Sequence, residues 1–352
     1  MPQEIPKTTK QWKVVGRNGF DSLQFDEKAP VPEYGDRDVV VRIHAVSLNY
    51  RDLVIPKNMY PFPTIDEVIP GSDGAGEVLA VGKHVTRFKP GDKVVTLFHQ
   101  GYIAGPVHTS YMKASLGGAA HGTLRNIAAF DQDGLVHMPT SLSYREASTL
   151  PCAGVTAWNA LFGVSDNKLT AGQWVVTQGT GGVSIFAVQF AKAVGARVIA
   201  TTSSAEKAKL LEKLGADHIL NYSEDKEWGV TAKKLTGGEG VHHVIEVAGP
   251  TSMKQSLAAI RPDGIISIIG FRGGQSKEQP SFLDCLGNVC TARGIFVGHR
   301  LHMEEMCDAI EANPDKLRPI VDPKTFKLEQ LKEAFDYMWN SKHQAKVVID
   351  LD

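Results

Sequence analysis

A glycine-rich turn between a strand and a helix constrains this chain most. Gly179-Thr180-Gly181-Gly182-Val183-Ser184 follows the apolar run Trp174-Val175-Val176-Thr177. It opens a stretch, 182–194, whose apolar residues recur at helical spacing. A strand, a glycine turn and a helix are the context a phosphate-binding turn requires. Early glycines permit the tight turn and let backbone N–H groups approach a pyrophosphate, while the helix N-terminus adds partial positive charge. Ser184 stands where the third glycine of the usual spacing would be, and it is small enough for close helix–strand packing. A purely structural glycine turn would read the same in isolation, so the flanking pattern decides.

That pattern alternates. Arg197–Thr201, His218–Leu220, Val244–Val247 and Ile265–Ile269 read as strands, and residues 204–214 read as a helix with Ser204 as its cap. Such alternation predicts parallel strands with right-handed crossovers, a doubly wound α/β domain. The end of the second strand then speaks to the nucleotide. An NAD site places an acid about 20 residues past the glycines to bind the ribose hydroxyls. Here the sequence is Thr201-Thr202-Ser203-Ser204-Ala205-Glu206-Lys207, with no acid at the strand end. Ser203, Ser204 and Lys207 favour a 2′-phosphate and hence NADP; in the other reading Ser204 only caps and Lys207 only faces water. Asn221-Tyr222 either closes over the adenosine phosphate or is an ordinary turn.

Residues 10–150 have another texture, short β segments split by Gly and Pro. Val39–Ile43, Gly76–Val81 and Val94–Leu97 read as strands, with Lys89-Pro90-Gly91-Asp92 as a turn, which predicts a compact barrel-like β domain. The final strand, Lys346–Ile349, is expected to return to it. The expected domains are 1–156 with 299–352, and 157–298. At 352 residues, two domains are the default.

Composition narrows the function. Lys plus Arg total 38 against 39 Asp plus Glu, which argues against nucleic-acid or polybasic membrane partners. The first residues, MPQEIPKTTKQWKVV, hold no apolar signal core, and no run approaches a membrane span. Cysteines 152, 285, 290 and 307 form no Cys-x-x-Cys pair, so a reduced, cytoplasmic setting is expected.

Several blocks, in order, resemble the medium-chain dehydrogenase/reductase superfamily. They are Val46-Ser47-Leu48-Asn49-Tyr50-Arg51-Asp52-Leu53, then Ile69-Pro70-Gly71-Ser72-Asp73-Gly74-Ala75-Gly76-Glu77-Val78. Next come Phe88-Lys89-Pro90-Gly91-Asp92-Lys93-Val94 and Leu150-Pro151-Cys152-Ala153-Gly154-Val155-Thr156-Ala157-Trp158. The resemblance covers nearly the whole chain. It implies a GroES-like β domain plus a Rossmann domain, with substrate bound between them. It also implies a homodimer that pairs across the strand near Gly294–Val297.

Zinc-dependent alcohol dehydrogenases of that superfamily carry a Cys, a His-Glu and a Cys where this chain has Asn49, Ser72-Asp73 and Cys152. A catalytic zinc wants three convergent ligands and an open site, so a metal-free enzyme is expected. His99, His108 and His121 are spaced unlike ligands. Among the zinc-less branches, quinone oxidoreductase-like proteins and enoyl reductases, the chain is most similar to the zinc-type alcohol dehydrogenase-like group. Asn58-Met59-Tyr60-Pro61 resembles the enoyl reductase block whose Tyr acts near substrate. Tyr60 is thus either a proton donor and oxygen binder or a lid-packing aromatic.

The resemblance further implies that Thr156 lies beside the nicotinamide. Backbone groups of Ile269-Gly270-Phe271 and Phe296-Val297-Gly298 would hold its carboxamide. Asn49 would face nicotinamide or substrate, and Tyr50, Arg51 and Tyr60 are candidate hydrogen-bond donors. Arg51 alternatively pairs with Asp52 or Asp73. Arg300 and Lys346 either add charge near the phosphates or substrate or face solvent. Cys152 is a packing residue or a reactive thiol. The expected activity is NADPH-dependent reduction of an enone, enal or quinone. Rivals are an NADP-dependent alcohol dehydrogenase or ketone reductase, and an NADPH-binding regulatory protein whose site is filled by Met59 or Phe62.

Overall fold

The computed structural model describes residues 5–274, 276–277 and 280–352. The chain divides into two units, one running to Val155 and resuming at Gly298, the other Thr156–Val297.

The first unit is the GroES-like part. Its larger sheet has the order Phe326–Lys327, Val348–Asp350, Asp38–Ser47, Asp73–Val81, Lys93–Thr96, Leu135–His137, and Ile127–Asp131 also pairs with Asp38–Ser47. The long strand Asp38–Ser47 is the hub because Val39, Val40, Val41, Ile43, Ala45 and Val46 are all buried. A strand covered on both faces reads as a near-continuous apolar run. The terminal strand pairs antiparallel with this hub, Val348 opposite Ser47, so residues at both ends of the sequence share one core. Its bounds are Val348–Asp350, two residues later at its start than the sequence suggests, because Lys346 makes only an isolated bridge to Val321. The segment 98–125 carries one short helix, Thr109–Met112, and isolated bridges His99–Ser115 and Leu116–Ala120.

The second unit is the Rossmann part. Six parallel strands, Trp174–Gln178, Arg197–Thr202, His218–Asn221, Val241–Glu246, Ile260–Ile268 and Thr291–Gly294, lie in the order third, second, first, fourth, fifth, sixth. The order reverses between the first and fourth strands, where open α/β sheets bind ligands at the strands' carboxyl ends. The helix Gly182–Ala193 buries Ile185, Phe186, Val188 and Phe190 against this sheet. The sixth strand ends at Gly294, so 295–297 lie beyond it rather than inside it. Ile295 still bonds Ile268 O, but Val297 adopts φ 61, a left-handed conformation that ends extended pairing.

His243 sits in the fourth strand, 1% exposed, with neither ring nitrogen hydrogen-bonded. Burial, with His242 adding to it, pushes its pKa from 6.5 to about 4. Between those values the unfolded chain binds the extra proton, so this residue's share of stability is whole above pH 6.5. It declines as pH falls and levels off below 4, a loss of roughly 3 kcal/mol. Asp52 has the opposite sign, its pKa raised by burial to about 6. The His243 share is therefore read as a difference. A His243→Leu variant should lose less urea resistance than the wild type between pH 7 and pH 4, and equal slopes would refute the assignment.

Candidate active site

Two sets of residues answer to the sequence expectations, one in each unit.

In the Rossmann unit the chain turns at Gly179 with φ +72, which a side chain would strain, and Gly181 caps the helix Gly182–Ala193. A Cβ at either glycine would meet no heavy atom within 4 Å. Open space therefore lies above the turn, where an approaching pyrophosphate needs it. No side chain caps this helix, which leaves its first N–H groups facing outward. Thr180 is buried, Gly182 and Val183 begin the helix half-buried, and the Ser184 hydroxyl donates to Gln178 O at 2.6 Å, tying helix to strand.

The adenosine end is more exposed. Ser203 faces solvent, while Ser204 Oγ accepts from Lys207 N at 3.3 Å, the capping bond. Lys207 lies half-buried one turn on. Asn221 Nδ2 donates to Glu224 Oε1 and its Oδ1 accepts from Ser223 N, so it shapes its own turn, and the Tyr222 ring is exposed. At the far strands, Ile269 N and Gly270 N both bond Glu246 O, the Phe271 ring is exposed, and Phe296 is half-buried. Asn159 Nδ2 holds Val297 O at 2.7 Å, fixing the left-handed residue before Gly298. Thr156 is buried in the helix Val155–Phe162.

One cluster here was missed from sequence. The buried Glu246 carboxylate accepts from Gln178 Nε2 at 2.7 Å, Ser252 Oγ at 2.5 Å, Gly249 N at 2.8 Å and Ser256 Oγ. Gln178 Oε1 in turn accepts from Val247 N and Ala248 N. The network sets the loop after the fourth strand. Its signal was an acid closing the apolar run Val244-Ile245-Glu246.

In the GroES-like unit, Asn49 caps the helix Tyr50–Val54, and its N–H donates to Asp52 Oδ2 at 2.8 Å. Its side chain joins a buried chain of polar groups. Lys346 Nζ donates to Asn49 Oδ1 at 2.5 Å and to Leu48 O at 2.7 Å, and stands 3.7 Å from Asp73 Oδ2. Ser72 Oγ donates to Asp73 Oδ1 at 2.6 Å and accepts from Asn49 Nδ2 at 3.4 Å. Lys346 was expected at the cofactor or in solvent; its ammonium is buried with these groups. Burial raises the Asp73 pKa, with Lys346 opposing most strongly. Burial, then Asp73, also drives the Cys152 thiol far up, so it holds its proton. Arg300 pairs with Asp133 and Glu304.

Arg51 makes neither of its expected ion pairs at salt-bridge distance. Nη1 donates to Leu116 O at 2.9 Å, and the guanidinium carbon lies 4.4 Å from the Phe98 ring centre and 5.1 Å from that of Tyr60. Its Nε and Nη2 are buried without a hydrogen-bond partner, and so is the Tyr60 hydroxyl. Burial raises the Tyr60 pKa while the Arg51 charge opposes it. Phe62 stacks obliquely on Tyr60 at 5.4 Å, and Met59 points largely to solvent. Tyr50 is placed elsewhere, its ring parallel to Trp339 at 6.4 Å.

Residues 35–140 match the alcohol dehydrogenase GroES-like domain, and residues 182–312 match the zinc-binding dehydrogenase family. A zinc-type alcohol dehydrogenase-like protein of Schizosaccharomyces pombe is 43% identical over 339 residues, 95% of this chain and 97% of that protein. The chain belongs to the medium-chain dehydrogenase/reductase superfamily. A solved structure from Sinorhizobium meliloti 1021, provisionally named an alcohol dehydrogenase, shares 40% identity at a TM-score of 0.89, covering 99% of this chain and 100% of that one. A quinone oxidoreductase of Pseudomonas syringae shares the fold at a TM-score of 0.80 and 24% identity, covering 97% of this chain and 100% of that one.

As a medium-chain dehydrogenase/reductase the chain is of an oxidoreductase family that uses a nicotinamide cofactor. The glycine turn, with its open space and uncapped helix, fits such a group. Zinc, which some family names carry, is fitted less well. The positions in question offer an amide, a hydroxyl, a carboxylate and a protonated thiol, with an ammonium hydrogen-bonded among them. Among the described residues no three His, Cys, Asp or Glu side chains converge as a metal group. Thiolate and imidazole are the donors zinc prefers. This donor set does not fit a catalytic zinc.

Proposed function

We propose that this protein is a zinc-independent, NADPH-dependent reductase of an activated C=C bond, in an enone or enal, or of a quinone. The observation that carries this reading is the Tyr60 hydroxyl, buried without a partner, with the Arg51 guanidinium carbon 5.1 Å from the Tyr60 ring centre. Buried donors are normally bonded, so a hydroxyl left open is suited to an incoming oxygen. NADPH, when bound, supplies a hydride. Tyr60 donates a hydrogen bond to the substrate carbonyl oxygen, and the Arg51 charge favours the negative charge that develops there. Asn49 is held by Lys346, which fixes the orientation of its amide. A proton then comes from Tyr60 or water. A simple alcohol would need a group that forms its alkoxide, which is the work of a metal elsewhere. The alcohol dehydrogenase or ketone reductase reading rests on the names of the relatives.

Tyr60→Phe tests the site. Removing an unpartnered hydroxyl breaks no internal hydrogen bond, so urea resistance should hold or rise slightly. Turnover of an enone or quinone panel with NADPH should fall by about a hundredfold in kcat. Unchanged turnover would leave Tyr60 a packing residue. NADPH bound tightly with no turnover of any panel member by the wild type would favour the regulatory reading.

The 2′-phosphate site is proposed at Ser203, Ser204 and Lys207. Lys207→Ala should weaken NADPH about tenfold, the worth of one charge-assisted hydrogen bond, and leave NADH binding unchanged. A wild-type preference for NADH in fluorescence titration would overturn the NADP assignment. Thr156, Ile269, Gly270, Phe271, Phe296, Val297 and Gly298 remain proposed contacts of the nicotinamide. The domain boundaries 1–156 with 299–352, and 157–298, are likewise proposed.

We further propose a cytoplasmic homodimer. The sixth Rossmann strand is a sheet edge, and Phe282, Leu283 and Leu286 before it are exposed. Edges of this kind pair readily with a second copy. Light scattering that gives a monomer at assay concentration would sink the dimer. Among the described residues no helix is long and apolar enough to cross a membrane.

A further inference from the structure

Two of the four cysteines meet for a reason written in the backbone. The helix Phe282–Asn288 ends on Val289, which adopts φ 49. Val289 N bonds Leu286 O at 3.1 Å, and Cys290 N reaches past it to Cys285 O at 3.0 Å. These paired bonds define the Schellman helix end, in which the residue after the left-handed one folds back on the residue five before it. That contact is usually between two apolar side chains. Here both are cysteines, and the Cys285 sulfur adds to the burial that raises the Cys290 pKa. Both are half-buried, and Cys290 also packs against the core of the Rossmann unit.

We propose that Cys285 and Cys290 form a modification site that a peroxide converts reversibly to an intramolecular disulfide. The sequence separation is short and the backbone already closes the loop, so the chain need not move far to join the sulfurs. Burial and the neighbouring sulfur raise the Cys290 pKa to about 11, which leaves Cys285 to attack first. Its sulfur takes one peroxide oxygen, the O–O bond breaks, and water departs as Cys285 becomes a sulfenic acid. The Cys290 sulfur then attacks that sulfur, the S–O bond breaks, and a second water departs with the Cys290 proton. Two thiols and one peroxide give one disulfide and two waters. The linked turn leads directly into the edge strand Thr291–Gly294, so oxidation stiffens the entry to that strand. Cys152 and Cys307 are driven further toward the protonated form by burial and nearby carboxylates, and are poorer targets.

The test uses the full chain and hydrogen peroxide. After treatment, free thiols are alkylated and the protein is digested with trypsin without reduction. Both cysteines fall in the stretch after Lys277 that ends at Arg293, with no Lys or Arg between. The expected peptide lacks two hydrogens, takes no alkyl group, and regains two alkylatable thiols after dithiothreitol. At limiting peroxide it should form at least tenfold faster than any product at Cys152 or Cys307. Cys290→Ser should instead trap a dimedone-reactive sulfenic acid at Cys285. The proposal is overturned by sulfinic acid at Cys285 with Cys290 still alkylatable in the wild type, by a link between chains, or by no dimedone adduct in Cys290→Ser. Each readout is independent of NADPH turnover.

Discussion

Gly181→Val should fold like the wild type and lose nicotinamide nucleotide binding by tenfold or more, about 1.4 kcal/mol at the least. Gly181 has φ −73 and ψ 168, an extended conformation that valine adopts readily. Its added side chain would start in space with no protein atom within 4 Å of the Cβ. The cost to folding is then confined to the helix cap, where valine is less favoured than glycine, about 1 kcal/mol or less. The loss falls on a ligand whose phosphates approach the backbone. Gly179→Ala should behave differently. At φ +72 it strains the folded chain itself, so melting temperature and binding fall together. Fluorescence titration with NADPH, set beside urea unfolding, separates the two. Normal binding by a folded Gly181→Val would remove the turn as the phosphate site.

The second large effect is on stability. Lys346→Met should cost about 3–5 kcal/mol, because it strands Asp73, which is fully buried. Lys346 is the main force holding the Asp73 pKa down against burial. Without it that pKa climbs further, so Asp73 takes up a proton more easily in the folded variant. The deficit should therefore shrink as pH falls and be largest at neutral pH. A Lys346→Met/Asp73→Asn double variant removes both charges and should recover much of the loss. If Lys346→Met alone unfolds at the wild-type urea concentration, the ion pair carries no stability. The single variant should also free the Asn49 amide, which loses its hydrogen bond from Nζ. A fall in kcat that persists in the more stable double variant would separate positioning of Asn49 from simple folding.

These two predictions differ in how far sequence reasoning reaches. The glycine turn was legible because its signal is local. A strand, a small-residue turn and a helix follow one another within about twenty residues, and backbone conformation at glycine is a property of the residue itself. The parallel sheet followed from the same alternation, since apolar runs such as Val198-Ile199-Ala200 are buried on both faces. Element ends were less legible. The sixth strand stops at Gly294 because the following residues bend away through Val297, and no residue type announces a left-handed valine.

The Lys346 cluster shows the opposite case. Lys346 and Asn49 are separated by almost the whole chain, and they meet because Val348 pairs with Ser47 across an antiparallel ladder. From sequence Lys346 read as a charge near the phosphates or substrate or as solvated, because its pairing partner and carboxylate are not local. Arg51 likewise read either as a hydrogen-bond donor at the site or as an ion-pair partner of Asp52 or Asp73. The fold sets it over Phe98 and Tyr60 instead, because Leu116 O captures Nη1. By itself the sequence determined the two-part architecture, the glycine turn and the absence of the usual zinc ligand types, all readable from residue type and local spacing. Only the tertiary structure decided which charges are buried together, where the unpartnered hydroxyl of Tyr60 lies, and that Cys290 folds back to bond Cys285 O. Those facts depend on ladder register and helix-end geometry, which bring distant or out-of-phase residues within hydrogen-bond reach.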